Sequence, residues 1–325
     1  MSGCTETGKP LISILLAVYE PRMDWLRELL TSLNDQTYPN LRLYVRDDCS
    51  PTMPFEKIQS CVQDCIRAFP YEIRRNEKNL GSNLTFEQLT REAEGEYFAY
   101  CDQDDIWLPE KLEVLEKAIE ESGALLACSD VCVIDGRGKK TANSITEVRH
   151  RHCFMSGKDD VCHRLLTRNF VIGCTMLICR GVAQAAIPFL PEMIHDHWLA
   201  LYAASRGLIV SLPQPLIRYR IHGGNQTGVL VGVSSKQTYI DLRILGFQKR
   251  ICHIADRLPD ARGLRAVQLW AEARAAYAES FCMGKAIRLW NCRREGYAIT
   301  FFELIALRLP ERLFRALLWV AKKAA

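Results

Sequence analysis

Five aspartates in the first third of the chain have the types and spacing to hold a cation or a polar ligand. Pairs at spacing i, i+2 on a turn can direct two carboxylates at one hard divalent cation. The same residue type also closes turns and caps helices, so each position has a bland interpretation as well. The residues are Asp47, Asp48, Asp102, Asp104 and Asp105.

The elements around these aspartates alternate between strand-like and helix-like patterns. Short apolar runs predict strands, and leucines at helical spacing predict the helices between them. This alternation predicts an open, mostly parallel α/β sheet, in which ligands bind at the carboxyl ends of the strands. Both aspartate groups fall at such ends. The predicted strands are Leu11–Val18, Leu41–Val45, Tyr71–Arg74 and Tyr97–Cys101, and the predicted helices are Trp25–Leu33, Phe55–Phe69 and Leu84–Ala93.

The remainder of the chain predicts a second sheet half and then a helical region. We expect one domain over residues 1–228, in two halves at 1–110 and 111–228, followed by a helical region at 229–325. The predicted strands are Leu125–Val133, Phe170–Cys179 and Leu216–Arg220; the helices are Lys111–Glu121, Asp196–Arg206, Lys236–Cys292 and Ile299–Lys323; the linker is Val229–Val233; and residues 136–151 form a loop.

Composition and charge exclude several classes of protein. With 48% hydrophobic and 25% charged residues, the chain has an ordinary globular composition. No apolar run approaches the ~20 residues that span a bilayer, and the first ten residues lack the apolar segment of a secretory signal. Fourteen dispersed cysteines favour reduced thiols in a cytoplasmic protein. Residues 1–225 carry 25 basic and 30 acidic residues, whereas residues 226–325 carry 17 and 8.

Six segments of the chain, taken in order, form a recognisable set of motifs. They are Ala17-Val18-Tyr19, Arg46-Asp47-Asp48-Cys49-Ser50 (with Cys49 where glycine is usual), Asn79-Leu80-Gly81, Asp102-Gln103-Asp104-Asp105-Ile106-Trp107, and the late pair His195-Asp196-His197-Trp198-Leu199 and Tyr219-Arg220-Ile221-His222-Gly223-Gly224-Asn225. With these motifs the chain resembles a family 2 glycosyltransferase of the GT-A fold, over about residues 10–228. The variant of the aspartate motif, together with Gly173-Cys174-Thr175-Met176, is most similar to the rhamnosyltransferase-type subgroup of bacterial surface polysaccharide synthesis. The resemblance implies that residues 1–228 form the catalytic domain, with a nucleotide-binding half at 1–110 and an acceptor-binding half at 111–228.

The resemblance implies a nucleotide-diphosphate sugar as the donor and Mn²⁺ or Mg²⁺ as the cofactor. A divalent cation would stabilise the charge that develops on a leaving diphosphate. The implied metal residues are Asp104 first, then Asp102, directly or through water, and His222. The implied nucleotide-binding residues are Val18, Tyr19, Asp47, Asp102 and Arg220; for Tyr19 a core role, for Asp47 a turn role, and for Arg220 a carbonyl-capping role stay open.

Asp196 occupies the family's position for a general base, which inversion at the anomeric carbon requires. A carboxylate beside apolar residues has a raised pKa and hence useful basicity. Asp196 could also be the N-cap of its helix. His195 either orients Asp196 or lies at the surface, and a zinc site with His197 lacks a third ligand. The resemblance places Trp107, Trp198 and His197 beside the acceptor.

We therefore expect a metal-dependent inverting transferase, with dTDP-β-L-rhamnose as the favoured donor and a saccharide or lipid-linked glycan as the acceptor. A UDP-hexose or UDP-N-acetylhexosamine is the alternative donor. A catalytically silent nucleotide-sugar-binding subunit is the alternative of another class. A nucleotidyltransferase ranks low, because the turn after the first strand has no glycine and reads Tyr19-Glu20-Pro21-Arg22.

The basic C-terminal region predicts contact with an anionic surface. Apolar stripes at Ile299–Leu309 and Leu313–Val320 flank Pro310, and five basic residues accompany them. A basic amphipathic helix can lie in a membrane interface, which predicts a peripheral position on the cytoplasmic face of the bacterial inner membrane. Docking on the catalytic domain and a homodimer contact are the other interpretations. No nucleic-acid-binding module is present, so nucleic acid is not expected as a partner.

Overall fold

The computed structural model describes residues 8–149, 152–223 and 232–323, with side chains up to residue 320. Among these residues, backbone contacts divide the chain into two compact units. The sheet unit ends at residue 222, and the helical unit comprises the residues after it together with residues 162–168. The predicted domain boundary at 228 and most of the predicted linker Val229–Val233 lie outside the described residues.

The sheet unit is built on one curved sheet of nine strands. Its strand order is β3-β2-β1-β4-β8-β6-β9-β5, and β7 pairs with β6. The first four of these strands are parallel, whereas β8 is antiparallel to both of its neighbours. The strands are β1 (Ile12–Val18), β2 (Leu41–Asp47), β3 (Tyr71–Arg75), β4 (Tyr97–Cys101), β5 (Ile106–Trp107), β6 (Leu126–Ile134), β7 (Lys140–Ala142), β8 (Met176–Cys179) and β9 (Ile209–Arg220).

The helices of the sheet unit cover the sheet with apolar faces. In the first of them, Leu26, Leu29, Leu30 and Leu33 are fully buried, as their helical spacing predicts. The α/β sheet fold predicted from the alternation is therefore confirmed. The helices are α1 (Met23–Asn34), α2 (Phe55–Cys65), α3 (Ser82–Glu92), α4 (Lys111–Ser122), α5 (Ile145–Val148), α7 (Arg180–Ala185) and α8 (His195–Arg206); helix α6 (Asp159–Thr167) begins in the sheet unit and belongs to the helical unit from residue 162.

Three predicted segments differ from the observed elements. The apolar run Phe170–Cys179 is only half strand, because a 3₁₀ turn at Gly173–Thr175 precedes β8. The predicted loop at 136–151 contains β7 and the short helix α5. The last strand begins at Ile209, seven residues before its predicted start. Prolines 213 and 215 interrupt its apolar pattern, and the strand pairs with β6 on both sides of residues 213 and 214, where the register shifts.

The helical unit has a core of its own, formed by residues such as Trp270, Tyr277 and Phe314. The predicted helical content of this region is confirmed, and one turn at Ile240–Leu245 is π-helical. Searched over the described residues, no helix has the length and apolar character needed to cross a membrane. The helices of the helical unit after residue 222 are α9 (Lys236–Tyr239), α10 (Gly246–Arg257), α11 (Leu264–Glu279), α12 (Met283–Asn291), α13 (Tyr297–Ala306) and α14 (Glu311–Lys323).

Candidate functional site

The carboxyl ends of β2, β1 and β4 lie side by side and bring the early motifs together. Val18 pairs with Asp47 across β1 and β2, and Leu16 pairs with Cys101 across β1 and β4. The Gln103 side chain then reaches the Tyr19 backbone twice. It accepts from the Tyr19 N–H at 2.8 Å and donates to the Tyr19 carbonyl at 2.9 Å. Gln103 therefore fixes the turn after β1 to the aspartate motif.

Strand β5 brings two motifs that are more than 100 residues apart into contact. Ile106 and Trp107 pair antiparallel with Arg218 and Ile217 of β9. The residues just outside this pairing are consequently neighbours: His222 Nε2 lies 2.6 Å from Asp104 Oδ2. The His222 ring also lies 4.9 Å from the Trp25 ring, centroid to centroid. The structure thus places together two of the three residues predicted to bind the metal.

Arg220 is a buried connector between these segments, with 1% of its surface exposed. Its backbone N–H donates to Asp105 Oδ1 at 2.9 Å, and its Nε donates to the Asp104 carbonyl at 2.8 Å. Its remaining nitrogens bond to the Asp135 carbonyl and the Glu28 carboxylate. Of the two roles left open for Arg220, these contacts favour the carbonyl-capping one, because its side chain holds two carbonyls and a carboxylate in place.

A second group of possible ligand atoms lies deeper. The ligand atoms of Asp102, Asp105 and Cys174 lie within 4.8 Å of one another, the one such group among the described residues. Burial and the neighbouring Asp104 raise the pKa of Asp102 to about 7. One carboxylate oxygen of Asp105 is buried and makes no hydrogen bond within the described chain. Carboxylates match the ligand preferences of Mg²⁺ and Mn²⁺, whereas a sulfur ligand does not, and burial raises the pKa of the Cys174 thiol.

Lys111 lies behind this acidic group and is fully buried. Its Nζ donates to the Cys174 carbonyl at 2.8 Å and lies over the Trp107 ring, 2.8 Å from the ring centroid. Burial lowers the pKa of Lys111 to about 7, whereas the nearby carboxyl and thiol groups act in the opposite direction. A lysine so placed supplies compensating positive charge at a site where several carboxylates meet.

Asp196 lies in the first turn of α8 and is 8% exposed. One of its oxygens accepts from the Gly173 N–H at 3.0 Å, and the other accepts from Asn169 Nδ2 at 3.0 Å. Burial raises the pKa of Asp196 to about 7, although these hydrogen bonds oppose the shift. The N-cap of α8 is Ile194, so the alternative of Asp196 as the N-cap is wrong. Asp196 is also close enough to Asp102 for their charges to interact.

His195 is neither a surface residue nor a partner of Asp196. Its ring packs between Phe86 and Tyr100, at 4.1 and 5.5 Å, and burial lowers its pKa to about 3. A Cβ at Gly173 would lie 2.8 Å from His195 Nε2, so the glycine leaves room for the ring. His195 therefore supports the segment whose Gly173 N–H binds Asp196. Within the described residues, no metal-binding group includes the two α8 histidines.

The two aspartates after β2 have different surroundings. Asp48 accepts from Asn76 Nδ2 and from the backbone N–H groups of Leu80 and Gly81, each at 2.8 Å, so it anchors the start of α3. Asp47 accepts from Ser50 Oγ at 2.6 Å, and its second oxygen lies 3.2 Å from Arg75 Nε without the alignment of a hydrogen bond. One carboxylate oxygen of Asp47 can therefore still accept a hydrogen bond, whereas the carboxylate of Asp48 already accepts from backbone N–H groups.

The three residues predicted to contact an acceptor are all buried. Trp107 is 2% exposed and lies under Lys111, whereas Trp198 is 0% exposed and donates to the Ala186 carbonyl at 2.8 Å. His197 is 7% exposed. Because none of them presents a surface large enough to pack on a sugar ring, we assign these side chains to the support of the site.

Sequence reasoning missed several residues of this site. Lys111 shares the buried face of α4 with Leu115 and Ile119, and a lysine at spacing i, i+4, i+8 with apolar residues was the available signal. Gln103 lies inside the aspartate motif and was passed over because it carries no charge. Asn169 had no signal, since only the fold brings it to Asp196.

Comparison with known proteins identifies the family of this chain. The family described as Glycosyl transferase family 2 matches residues 13–185, more than half of the chain. The chain therefore belongs to glycosyl transferase family 2, a family of enzymes. The matched region includes β1–β4, the aspartate motif and β8, and it ends before Asp196 and His222.

Individual relatives match this chain at modest sequence identity and over only part of their length. The chain is 31% identical over 134 residues to the uncharacterized glycosyltransferase MJ1057 of Methanocaldococcus jannaschii, covering 41% of this chain and 46% of that one. It is 31% identical over 117 residues to TuaG of Bacillus subtilis, a glycosyltransferase provisionally named for teichuronic acid biosynthesis, covering 36% of this chain and 45% of that one. In both cases the match spans slightly less than half of the relative.

The fold is similar to that of TarS from S. aureus, solved in complex with UDP-GlcNAc. The TM-score is 0.58 at 16% sequence identity, and the alignment covers 91% of this chain and 82% of that one. This likeness confirms the GT-A-like fold with a helical C-terminal region.

Proposed function

We propose that this protein transfers a sugar from a nucleotide diphosphate to a hydroxyl group, with inversion at the anomeric carbon. The observation that carries the proposal is the convergence of Asp104 and His222, which the pairing of β5 with β9 brings together. They lie beside Asp102, whose charge is close enough to interact with that of Asp196. A cation-binding group and a carboxyl group of raised pKa thus share one edge of the sheet. These are the two functions that such a transfer requires.

The nucleotide would lie across the ends of β1 and β2. Tyr19 is 44% exposed and its backbone is fixed by Gln103, so its ring offers a flat surface beside the base. Asp47 keeps an oxygen free of hydrogen bonds, and this oxygen would accept the N–H of a pyrimidine base. Val18 is buried and contributes its backbone, whose carbonyl already accepts from the Asp48 N–H at 2.8 Å.

Asp104 and His222, with Asp102 close by, would hold Mn²⁺ or Mg²⁺. When bound, the cation supplies positive charge to the leaving diphosphate. Arg220 and Lys111 position these residues: Arg220 holds the aspartate segment against the end of β9, and Lys111 balances the negative charge behind it.

Asp196 would take the proton from the attacking hydroxyl group. Its raised pKa of about 7 places it near the pH at which a base is effective. Its hydrogen bonds to the Gly173 N–H and Asn169 fix both oxygens, and this limits the directions in which the carboxylate can point. Pre-positioning of this kind reduces the entropy lost in reaching the transition state.

For the donor we propose dTDP-β-L-rhamnose, on the resemblance of the motifs to the rhamnosyltransferase subgroup. A UDP-N-acetylhexosamine is the second candidate, because the structural neighbour TarS was solved with UDP-GlcNAc. The acceptor would be a saccharide or a lipid-linked glycan. Surface polysaccharide synthesis is the proposed process, and the name of TuaG is consistent with it.

The test is a panel of dTDP-, UDP- and GDP-sugars with Mn²⁺, in which binding is followed by thermal stabilisation and turnover by nucleotide diphosphate release. We expect a Mn²⁺-dependent stabilisation that is largest for one donor, since a ligand that binds the native state raises its midpoint. Asp196→Ala should retain this stabilisation and lose turnover. Folded protein that no nucleotide stabilises would contradict the transferase proposal, and release of inorganic pyrophosphate would identify a nucleotidyltransferase instead.

A further inference from the structure

The last three helices expose an unusual amount of apolar surface. Of the nineteen large apolar side chains that are exposed in the described chain, twelve lie between residues 281 and 320. In α12 they follow helical spacing, with Met283 at 66%, Ile287 at 54% and Trp290 at 37% exposure, at positions i, i+4 and i+7. Such spacing places the three side chains on one stripe of the helix.

Helix α13 buries polar residues while it leaves several of its large apolar residues exposed. Thr300 and Glu303 are completely buried, whereas Tyr297, Phe301 and Ile305 are 60%, 52% and 47% exposed. Glu303 forms an ion pair with Arg274 at 2.6 Å and accepts from Tyr239 Oη at 3.0 Å. The inner face of α13 therefore holds an ion pair, and the helix is not stabilised by burial of its own apolar stripe. That stripe faces outward at i, i+4 and i+8.

Helix α14 buries only part of its apolar stripe. Phe314 and Leu318 are buried, but Leu313, Leu317 and Val320 at i, i+4 and i+7 are 54%, 38% and 54% exposed. The stripes of α12 and α13 adjoin, since the rings of Trp290 and Tyr297 lie 6.0 Å apart. Helix α13 also packs against α14. We call the exposed apolar side chains of α12, α13 and α14 the C-terminal apolar face.

The residues around this face are mainly basic. Residues 281–325 contain nine lysines and arginines against three glutamates. All three glutamates have partners: Glu295 pairs with His163, Glu303 with Arg274, and Glu311 with Arg315. Arg288 and Arg315 keep 52% and 61% of their side chains exposed. Clustered basic residues beside apolar and aromatic side chains are complementary to a surface that is apolar beneath and anionic above.

We propose that the C-terminal apolar face lies in the interface of a membrane that contains anionic lipids. Tryptophan and tyrosine are favoured at the headgroup level, and Trp290, Tyr297 and Trp319 supply them here at 37%, 60% and 59% exposure. Because no described helix can cross a membrane, the face lies on the bilayer and does not span it. The charge asymmetry favours a lipid surface over a second copy of the chain, since two copies would oppose their basic residues.

The test uses the full chain with vesicles of phosphatidylcholine alone, or mixed with phosphatidylglycerol, in sedimentation assays. We expect binding to the mixed vesicles that weakens as salt increases. Phe301→Ser combined with Ile305→Ser should weaken binding about tenfold or more, because exposed side chains that would enter the bilayer are removed. Leu84→Ser is the matched control, since Leu84 is 49% exposed in the sheet unit. Arg294→Ala with Arg312→Ala should also weaken binding about tenfold.

A second measurement locates the face in the bilayer. Brominated acyl chains should quench the fluorescence of Trp290 and Trp319 but not that of Trp107, Trp198 or Trp270, which are buried. Quenching should disappear in the double variant Trp290→Phe, Trp319→Phe. Circular dichroism and the melting temperature check that each variant folds, as expected for exposed positions.

Three results would overturn the proposal: no binding to either vesicle type, binding that the serine variants leave unchanged, or binding without quenching. A dimer in light scattering that the serine variants dissociate, without vesicle binding, would assign the face to a second copy of the chain. None of these measurements uses turnover, so the proposal stands or fails independently of the transferase activity.

Discussion

The sheet unit and the helical unit place charge in opposite ways. In the sheet unit, the carboxylates of Asp102, Asp104 and Asp196 cluster at strand and helix ends. Burial raises the pKa of both Asp102 and Asp196 to about 7, and repulsion by the neighbouring carboxylates contributes to the shift of Asp102. In the helical unit, the buried charges of Arg274 and Glu303 neutralise each other. Clustered carboxylates with raised pKa values, which can bind a proton or a cation, are typical of a reactive site. A buried ion pair whose charges cancel is typical of a structural one.

The two units also differ in their surfaces. The sheet unit buries most of its large apolar side chains, and many of them form one continuous cluster. In the helical unit, α12–α14 leave apolar stripes exposed while an ion pair occupies the interior. Burial alone therefore does not identify function. In the sheet unit the residues that indicate function are buried and polar, whereas in the helical unit they are exposed and apolar.

The largest expected effect concerns Asp196. Asp196→Asn should lower kcat about a thousandfold, because a general base contributes roughly 10²–10⁴ in rate. In the native enzyme, kcat/KM should fall as the pH drops below about 7, since the base must be deprotonated. A pH profile of turnover measures both. Asp24→Asn, in which a surface carboxylate is changed, is the control.

The same variant has an effect on stability with a definite sign. The pKa of Asp196 rises from 3.8 to about 7 on folding, so this group costs stability as the pH increases from about 4 to 7. Asp196→Asn should therefore flatten this part of the stability profile in urea denaturation. A profile identical to that of the native protein would contradict the raised pKa.

The next largest effect concerns the cation. Asp104→Asn and His222→Ala should each lower turnover about a hundredfold at limiting Mn²⁺, since loss of a ligand or of its partner weakens metal sites by roughly 10–100-fold or more. Raising the Mn²⁺ concentration should recover part of the activity. Asp64→Asn, an exposed carboxylate on α2, is the control. Activity that persists in excess EDTA would contradict a cation-dependent site.

A third prediction tests the matched pair of the helical unit. Glu303→Gln should destabilise the protein by about 3 kcal/mol, because it leaves the Arg274 charge buried without its counterion. Arg274→Met combined with Glu303→Met should cost less than Glu303→Gln alone. Urea denaturation measures the difference, with Glu272→Gln, whose carboxylate is 46% exposed, as the control. Equal destabilisation by single and double variants would argue against a matched pair.

The smallest effect concerns Cys49, which stands where the family usually has glycine. Its φ is +57°, in the left-handed region that glycine adopts without strain. Cys49→Gly should stabilise the protein by about 0.5 kcal/mol. This net gain is the backbone strain that glycine relieves in the folded state, minus the conformational entropy that glycine adds to the unfolded state. Cys65→Gly, at the end of α2, should instead destabilise it by a similar amount or more. Thermal melting of the two variants distinguishes these outcomes.

Much of the fold was predictable because its signals are local. The leucines of α1 and the apolar run of β1 recur at the periods of a helix and a buried strand, and both elements form where expected. The run Phe170–Cys179 was misleading, since apolar character does not distinguish a 3₁₀ turn from a strand. The burial of Trp107 and Trp198, which were predicted to contact an acceptor, was not predictable for a related reason: an aromatic residue in a motif looks the same in the sequence whether it is buried or exposed.

From the sequence alone one can read which carboxylates could bind a ligand and that they follow strands, because residue type and apolar periodicity are properties of the chain. Which of these carboxylates contact each other and their other partners depends on the tertiary structure. The pairing of β5 with β9 brings Asp104 to His222, and the turn before β8 brings Gly173 to Asp196. The pKa values follow from that packing, since desolvation and the distance between charges exist only once the chain has folded.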